Sequence, residues 1–153
     1  MKGRAFQLGG GTRGLLYGSF GLLFSTGVAW LILHYFFVEN GDFGLLPSPY
    51  EPLLLMLHGL VVPIFTAVVG ALFPTHISRA FKARKNRPSG ICLLSAVFGL
   101  FVTGYLLYYS GGAATRQVSS VIHSAVGIAI ALLLALHVYV GRRISTKNAS
   151  RIA

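Results

Sequence analysis

The sequence predicts an all-α integral membrane protein, a four-helix bundle with both termini on the cytoplasmic side. Three observations carry that expectation. Hydrophobic residues make up 54% of the 153 and charged ones only 10%, against about a quarter charged in a soluble domain. The mean hydropathy is +0.71. The charges are confined to short stretches between long uncharged runs. Each run offers the roughly 20 apolar residues that a bilayer-crossing helix needs. In lipid the backbone must satisfy its own hydrogen bonds, which selects helix. The apolar content also excludes intrinsic disorder, and a lone cysteine, Cys92, excludes a disulfide scaffold.

The first uncharged run, Gly14 to Val38, lies between Arg13 and Glu39 and gives a helix over 14–38. It is too long for a signal-peptide core, and no small-residue cleavage site follows it. The run between Glu51 and Arg79 gives 52–75, where Pro63 and Pro74 can bend the helix or end it early. The runs between Arg87 and Arg116 and between Arg116 and Arg142 give 90–110 and 117–141. Together they form a single membrane domain, 1–153, with no fixed-period repeat.

Orientation follows from the basic residues. Lys2, Arg4 and Arg13 precede the first helix; Arg79, Lys82, Arg84, Lys85 and Arg87 fill the loop between the second and third; Arg142, Arg143, Lys147 and Arg151 follow the fourth. The other two loops hold Glu39, Asp42, Glu51 and Arg116. The positive-inside rule puts both termini in the cytoplasm, with Tyr35, Phe36, Phe37, Tyr108 and Tyr109 as an outer aromatic belt. The formal net charge of +10 raises the question of nucleic acid, but no aromatic or motif context supports it. The basic loop reads as a topology determinant lying against anionic headgroups.

Five histidines, at 34, 58, 76, 123 and 137, fall in or at the edge of the apolar runs. An ionisable group in a membrane span is expensive and points to function, and neutral imidazole is a favoured metal ligand. His58 lies seven residues after Glu51 and His123 seven after Arg116, which places both about 10 Å below the outer surface. His76 and His137 lie near the inner side, three and five residues before Arg79 and Arg142. On the fourth helix His123 and His137 are 14 residues apart, about 21 Å and nearly on one face. On the second, His58 and His76 are 18 apart, five whole turns and about 27 Å. Two cross-helix pairs result, one per leaflet. That pattern suits bis-histidine haem used for electron transfer, with His58 and His123 as outer ligands and His76 and His137 as inner ones.

Other residues are candidates for contact with the haem. Gly127 lies one turn below His123, where a small residue leaves room for a macrocycle or for close helix packing. Arg116, two turns above His123, and Arg79 could meet propionates, or act only as topology charges. His34 could replace an outer ligand, hydrogen-bond a propionate or quinone, or serve as an interfacial histidine with no ligand role. No CxxCH, iron–sulfur, zinc or phosphate-loop signature is present.

The C-terminal half carries ARKNRPSG, TGYLLYYSG and SSVIHSAVGIAIALLLALHVYVGRR, preceded by LHGLVVPIFTAVVGALFPTHISRAFKARKNR. Over about residues 50–145 these segments resemble the small four-helix bacterial membrane cytochromes b, the cytochrome b561-like proteins and uncharacterised haem-binding relatives. The spacing of His123 and His137 is also similar to the last helix of the cytochrome b subunits of formate dehydrogenases and hydrogenases. Those subunits place an inner ligand near the start of the first helix, where this chain reads Gly14-Leu15-Leu16-Tyr17-Gly18. The resemblance implies haem b, one or two per chain, and electron transfer to redox partner subunits or a quinone in the cytoplasmic membrane. The rival expectation is a non-catalytic membrane anchor of a larger complex, with no haem. A small transporter would need a polar path that Ser25, Thr26, Thr66, Ser95 and Thr103 do not supply.

Overall fold

The computed structural model describes residues 9–41, 44–84 and 86–149. Lys2, Arg4, Asp42, Lys85 and Arg151 lie outside the described residues, as do the side chains of Glu39 and Lys147. Among the described residues the chain is all-α apart from one short hairpin. Helix α1 spans Gly10–Phe36, α2 Glu51–Leu72, α3 Ser78–Lys82, α4 Arg87–Tyr109 and α5 Ala113–Ala149. The hairpin pairs β1 (Glu39–Gly41) with β2 (Gly44–Leu46) antiparallel, Glu39 opposite Leu46 and Gly41 opposite Gly44. Four helical segments are long and apolar enough to cross a membrane, Gly10–Phe36, Glu51–Lys82, Arg87–Tyr109 and Ala113–Ile144. The protein is a multi-pass membrane protein.

Two compact units divide the chain, one running to Phe73 and the other beginning at Pro74. In the first, α1 packs on α2; in the second, α4 packs on α5. The distribution of side chains is that of helices in lipid rather than in water. Ser19, Thr103 and Ser119 are buried, whereas Leu132 is 74% and Phe98 69% exposed. Large apolar groups face outward because lipid solvates them, and small or hydroxylated residues let the helix backbones approach. Two of these hydroxyls return their protons to the helix itself: Ser19 Oγ donates to Leu15 O at 2.7 Å and Thr103 Oγ1 to Gly99 O at 2.8 Å. Tyr35, Phe36, Phe37, Tyr108 and Tyr109 are all exposed at the C-terminal ends of α1 and α4.

The helix boundaries have local causes. Glu51 and Pro52 open α2; the carboxylate favours the positive end of the helix dipole, and proline fits where a backbone N–H is not needed. After Gly111 and Gly112, α5 starts at Ala113, with Arg116 N donating to Gly112 O at 3.0 Å. Helix α5 runs past both flanking charges, taking in Arg116, Arg142 and Arg143, and α1 includes Arg13. A charge therefore marks where the apolar part of a helix ends, while the helix continues.

Pro63 sits inside α2 without ending it. Pro74 acts differently. The α-helix stops at Leu72, a π turn spans Phe73–Ile77 and α3 follows at Ser78. Proline withholds one N–H and crowds the carbonyl four residues back, and a wider turn relieves both. The π turn carries His76. The count of five whole turns from His58 to His76 assumed regular α-helix, and the wider turn breaks that periodicity.

Candidate functional site

Two of the histidines sit in matching seats. In the first unit His58, on α2, faces Thr26 and Gly27 of α1: Thr26 Oγ1 is 3.0 Å from His58 Nδ1, and a Cβ at Gly27 would lie 3.5 Å from His58 Cε1. In the second unit His123, on α5, faces Thr103 and Gly104 of α4. Thr103 Oγ1 is 2.9 Å from His123 Nδ1, and a Cβ at Gly104 would lie 3.5 Å from His123 Cε1. The threonine holds one edge of the ring, and the glycine leaves the space the ring occupies.

The hydroxyls also fix where each imidazole carries its proton. Thr26 Oγ1 lies 2.7 Å from Leu22 O and Thr103 Oγ1 2.8 Å from Gly99 O. An oxygen so close to a carbonyl must donate its only hydrogen there. A hydroxyl that donates to its carbonyl meets the imidazole as an acceptor, which favours the proton on Nδ1 and the lone pair on Nε2. Holding a histidine by Nδ1–H and presenting Nε2 is the arrangement that orients a metal-ligating histidine.

A third seat lies in the second unit. His137 on α5 faces Ser89 and Gly90 in the first turn of α4: Ser89 Oγ is 2.9 Å from His137 Nδ1, and a Cβ at Gly90 would lie 3.6 Å from His137 Cε1. Across from it stands His76, the two ring centroids 6.3 Å apart and the planes 80° to one another. Two imidazoles that bond one metal from opposite sides, each at about 2.0–2.1 Å, have centroids about 6 Å apart.

The sequence drew attention to these histidines but not to their seats. The signal was present: Phe24-Ser25-Thr26-Gly27 and Phe101-Val102-Thr103-Gly104 share a Phe-x-Thr-Gly pattern, and Ser89-Gly90 shortens it. The distances from motif to histidine differ, so no fixed period exposes it. Gly127, expected to leave room for a macrocycle or for close helix packing, has Leu100 Cδ2 4.0 Å from its Cβ position. The glycines against imidazole rings are Gly27, Gly90 and Gly104. Arg116 and Arg79 are both exposed, in the first turn of α5 and in α3.

His34 has its own partner. Its Nδ1 lies 3.1 Å from Glu51 Oε2, and Trp30 stacks on the ring at 4.5 Å between centroids. Glu51 is buried, whereas the His34 side chain is 43% exposed. The exposed ring limits what the pair contributes. Glu51→Ala, which also removes the favourable carboxylate at the start of α2, is expected to cost about 1 kcal/mol, read from thermal unfolding in detergent. An unchanged midpoint would contradict that role.

Among the described residues, no three His, Cys, Asp or Glu side chains gather into a metal-ligand set. Paired imidazoles thus supply two ligands and no more. A six-coordinate metal held by two imidazoles needs its other four ligands from a bound group, which a macrocycle provides. No family model, curated protein or solved structure matches the chain.

Proposed function

We propose that this protein is a b-type cytochrome subunit of the cytoplasmic membrane, with both termini inside, that carries electrons through bis-histidine haem. His58 and His123 ligate an outer haem and His76 and His137 an inner one. The reading rests chiefly on one observation, the hydroxyl–glycine seat repeated under His58, His123 and His137. A histidine that only fills a gap between helices has no need of a fixed tautomer. A ligand does, because only the nitrogen without the proton can bond a metal.

Haem b, when bound, supplies the one-electron redox step; the chain supplies ligation, orientation and a dry surrounding. The threonine and serine hydroxyls hold the ring edges, and the glycines admit the rings between helices. Lipid-facing leucines and phenylalanines keep water from the helix pairs. Arg116 and Arg79 serve as propionate partners near the two ends, and Gly127 leaves room beside the macrocycle. Redox partner subunits or a quinone exchange electrons with the haems.

Haem extracted from the detergent-purified protein and quantified against protein tests this reading. Two haems per chain are expected. None, in cells with adequate haem supply, would overturn the proposal and leave a membrane anchor as the better account.

A further inference from the structure

The three seats differ in one respect. In the outer two, the hydroxyl gives its proton to a helical carbonyl four residues earlier, Leu22 O or Gly99 O. Ser89 is the third residue of α4, which begins at Arg87, and among the described residues its hydroxyl is directed to Asn86 instead. The backbone carbonyl of Asn86 is 3.4 Å from Ser89 Oγ, at the limit of a hydrogen bond. Left alone, the serine would be free to donate to His137 Nδ1. That would favour the imidazole proton on Nε2, the nitrogen a metal needs free.

Asn86 supplies what the helix lacks. Ser89 Oγ donates to Asn86 Oδ1, while Asn86 Nδ2 donates to the carbonyl of His137 at 3.1 Å. The same amide thus takes the serine proton and ties itself to α5 beside the ring it controls. Asn86 is the N-cap of α4 and holds a left-handed backbone, φ 50° and ψ 34°. Asparagine tolerates that conformation better than most residues. Its Nδ2 also lies 3.4 Å from His137 Nδ1, at the limit of a hydrogen bond and longer than the 2.9 Å from Ser89 Oγ to the same nitrogen.

We propose that Asn86 is the positioning residue for His137: by accepting the Ser89 hydroxyl proton, it keeps His137 protonated on Nδ1 with its lone pair on Nε2. The inference rests on the haem reading for its purpose but not for its test. Asn86→Gly removes the amide and keeps the left-handed backbone without strain, so it isolates the side chain from the fold. Asn86→Asp retains an acceptor for Ser89 and serves as the rescue.

The experiment is ¹⁵N NMR of the detergent-purified full chain labelled at histidine and reduced with dithionite. The His137 signals are assigned by their loss in His137→Ala. The wild type and Asn86→Asp are expected to carry the His137 proton on Nδ1, and Asn86→Gly to carry it on Nε2. Haem in the same samples should be released to apomyoglobin more readily from Asn86→Gly only. An Asn86→Gly protein with the proton still on Nδ1, or an Asn86→Asp protein that behaves like it, would overturn the proposal. A wild type without haem would instead refute the cytochrome reading, while the nitrogen shifts would still decide the role of Asn86.

Discussion

His123→Ala is expected to lower the haem content of the purified protein from two per chain to one, and His58→Ala to do the same. On the proposed reading each substitution would remove one of the two imidazoles of the outer haem, and a haem left with one axial ligand would be poorly retained. The inner pair, His76 and His137, keeps its own contact at 6.3 Å between ring centroids, so one haem remains. The seat has a smaller, separable effect. Thr103→Val removes the oxygen that accepts from His123 Nδ1 and leaves the ligand in place. Loss of such a partner typically weakens metal binding about 10–100-fold. That variant should purify with both haems but release one more readily to a haem scavenger such as apomyoglobin. If His58→Ala and His123→Ala both retain two haems, these histidines are packing residues and the outer assignment is wrong.

Gly104→Leu is expected to reproduce the loss of the outer haem with every ligand intact. A Cβ at Gly104 would meet His123 Cε1 at 3.5 Å, an ordinary van der Waals contact, so Gly104→Ala fits with both haems retained. Atoms beyond the Cβ that reach toward α5 compete with the ring for its place. The helices then separate or the imidazole turns away from its threonine. Overpacking of this kind costs about 1–3 kcal/mol, enough to be read as a lower unfolding midpoint along with a haem content of one per chain. Gly27→Leu should act in the same way on His58. Full haem content in both leucine variants would show that the glycines matter only for helix packing.

Much of this protein is legible in its sequence because the membrane simplifies the problem. Lipid permits few backbone structures, and four uncharged runs leave four helices as the solution. The charges located the apolar spans well but not the helix ends, since Arg116, Arg142 and Arg143 lie within α5. Pro74 was visible as a perturbation, but whether it would end the helix or widen it depends on the surroundings, and the π turn at Phe73–Ile77 is a packing outcome. The histidines stood out because an imidazole in an apolar run is costly. Their seats did not, because Thr26, Ser89 and Thr103 are ordinary small residues of membrane helices. They acquire meaning only when the neighbouring helix brings a ring within 3.0 Å. The pairing of His34 with Glu51 was hidden for a similar reason, since it joins residues 17 apart at opposite ends of a loop. The position of Asn86 beside His137 joins residues 51 apart and has no local signature at all.

Low-temperature electron paramagnetic resonance of the oxidised, detergent-purified protein tests the central claim most directly, because the iron reports its own axial ligands. Two imidazoles per iron predict low-spin ferric signals that account for all the haem, from two centres. Removal of His58 or His123 should erase one of those centres. A spectrum dominated by high-spin ferric haem, or one without any haem signal, would contradict the assignment of these histidines as paired axial ligands.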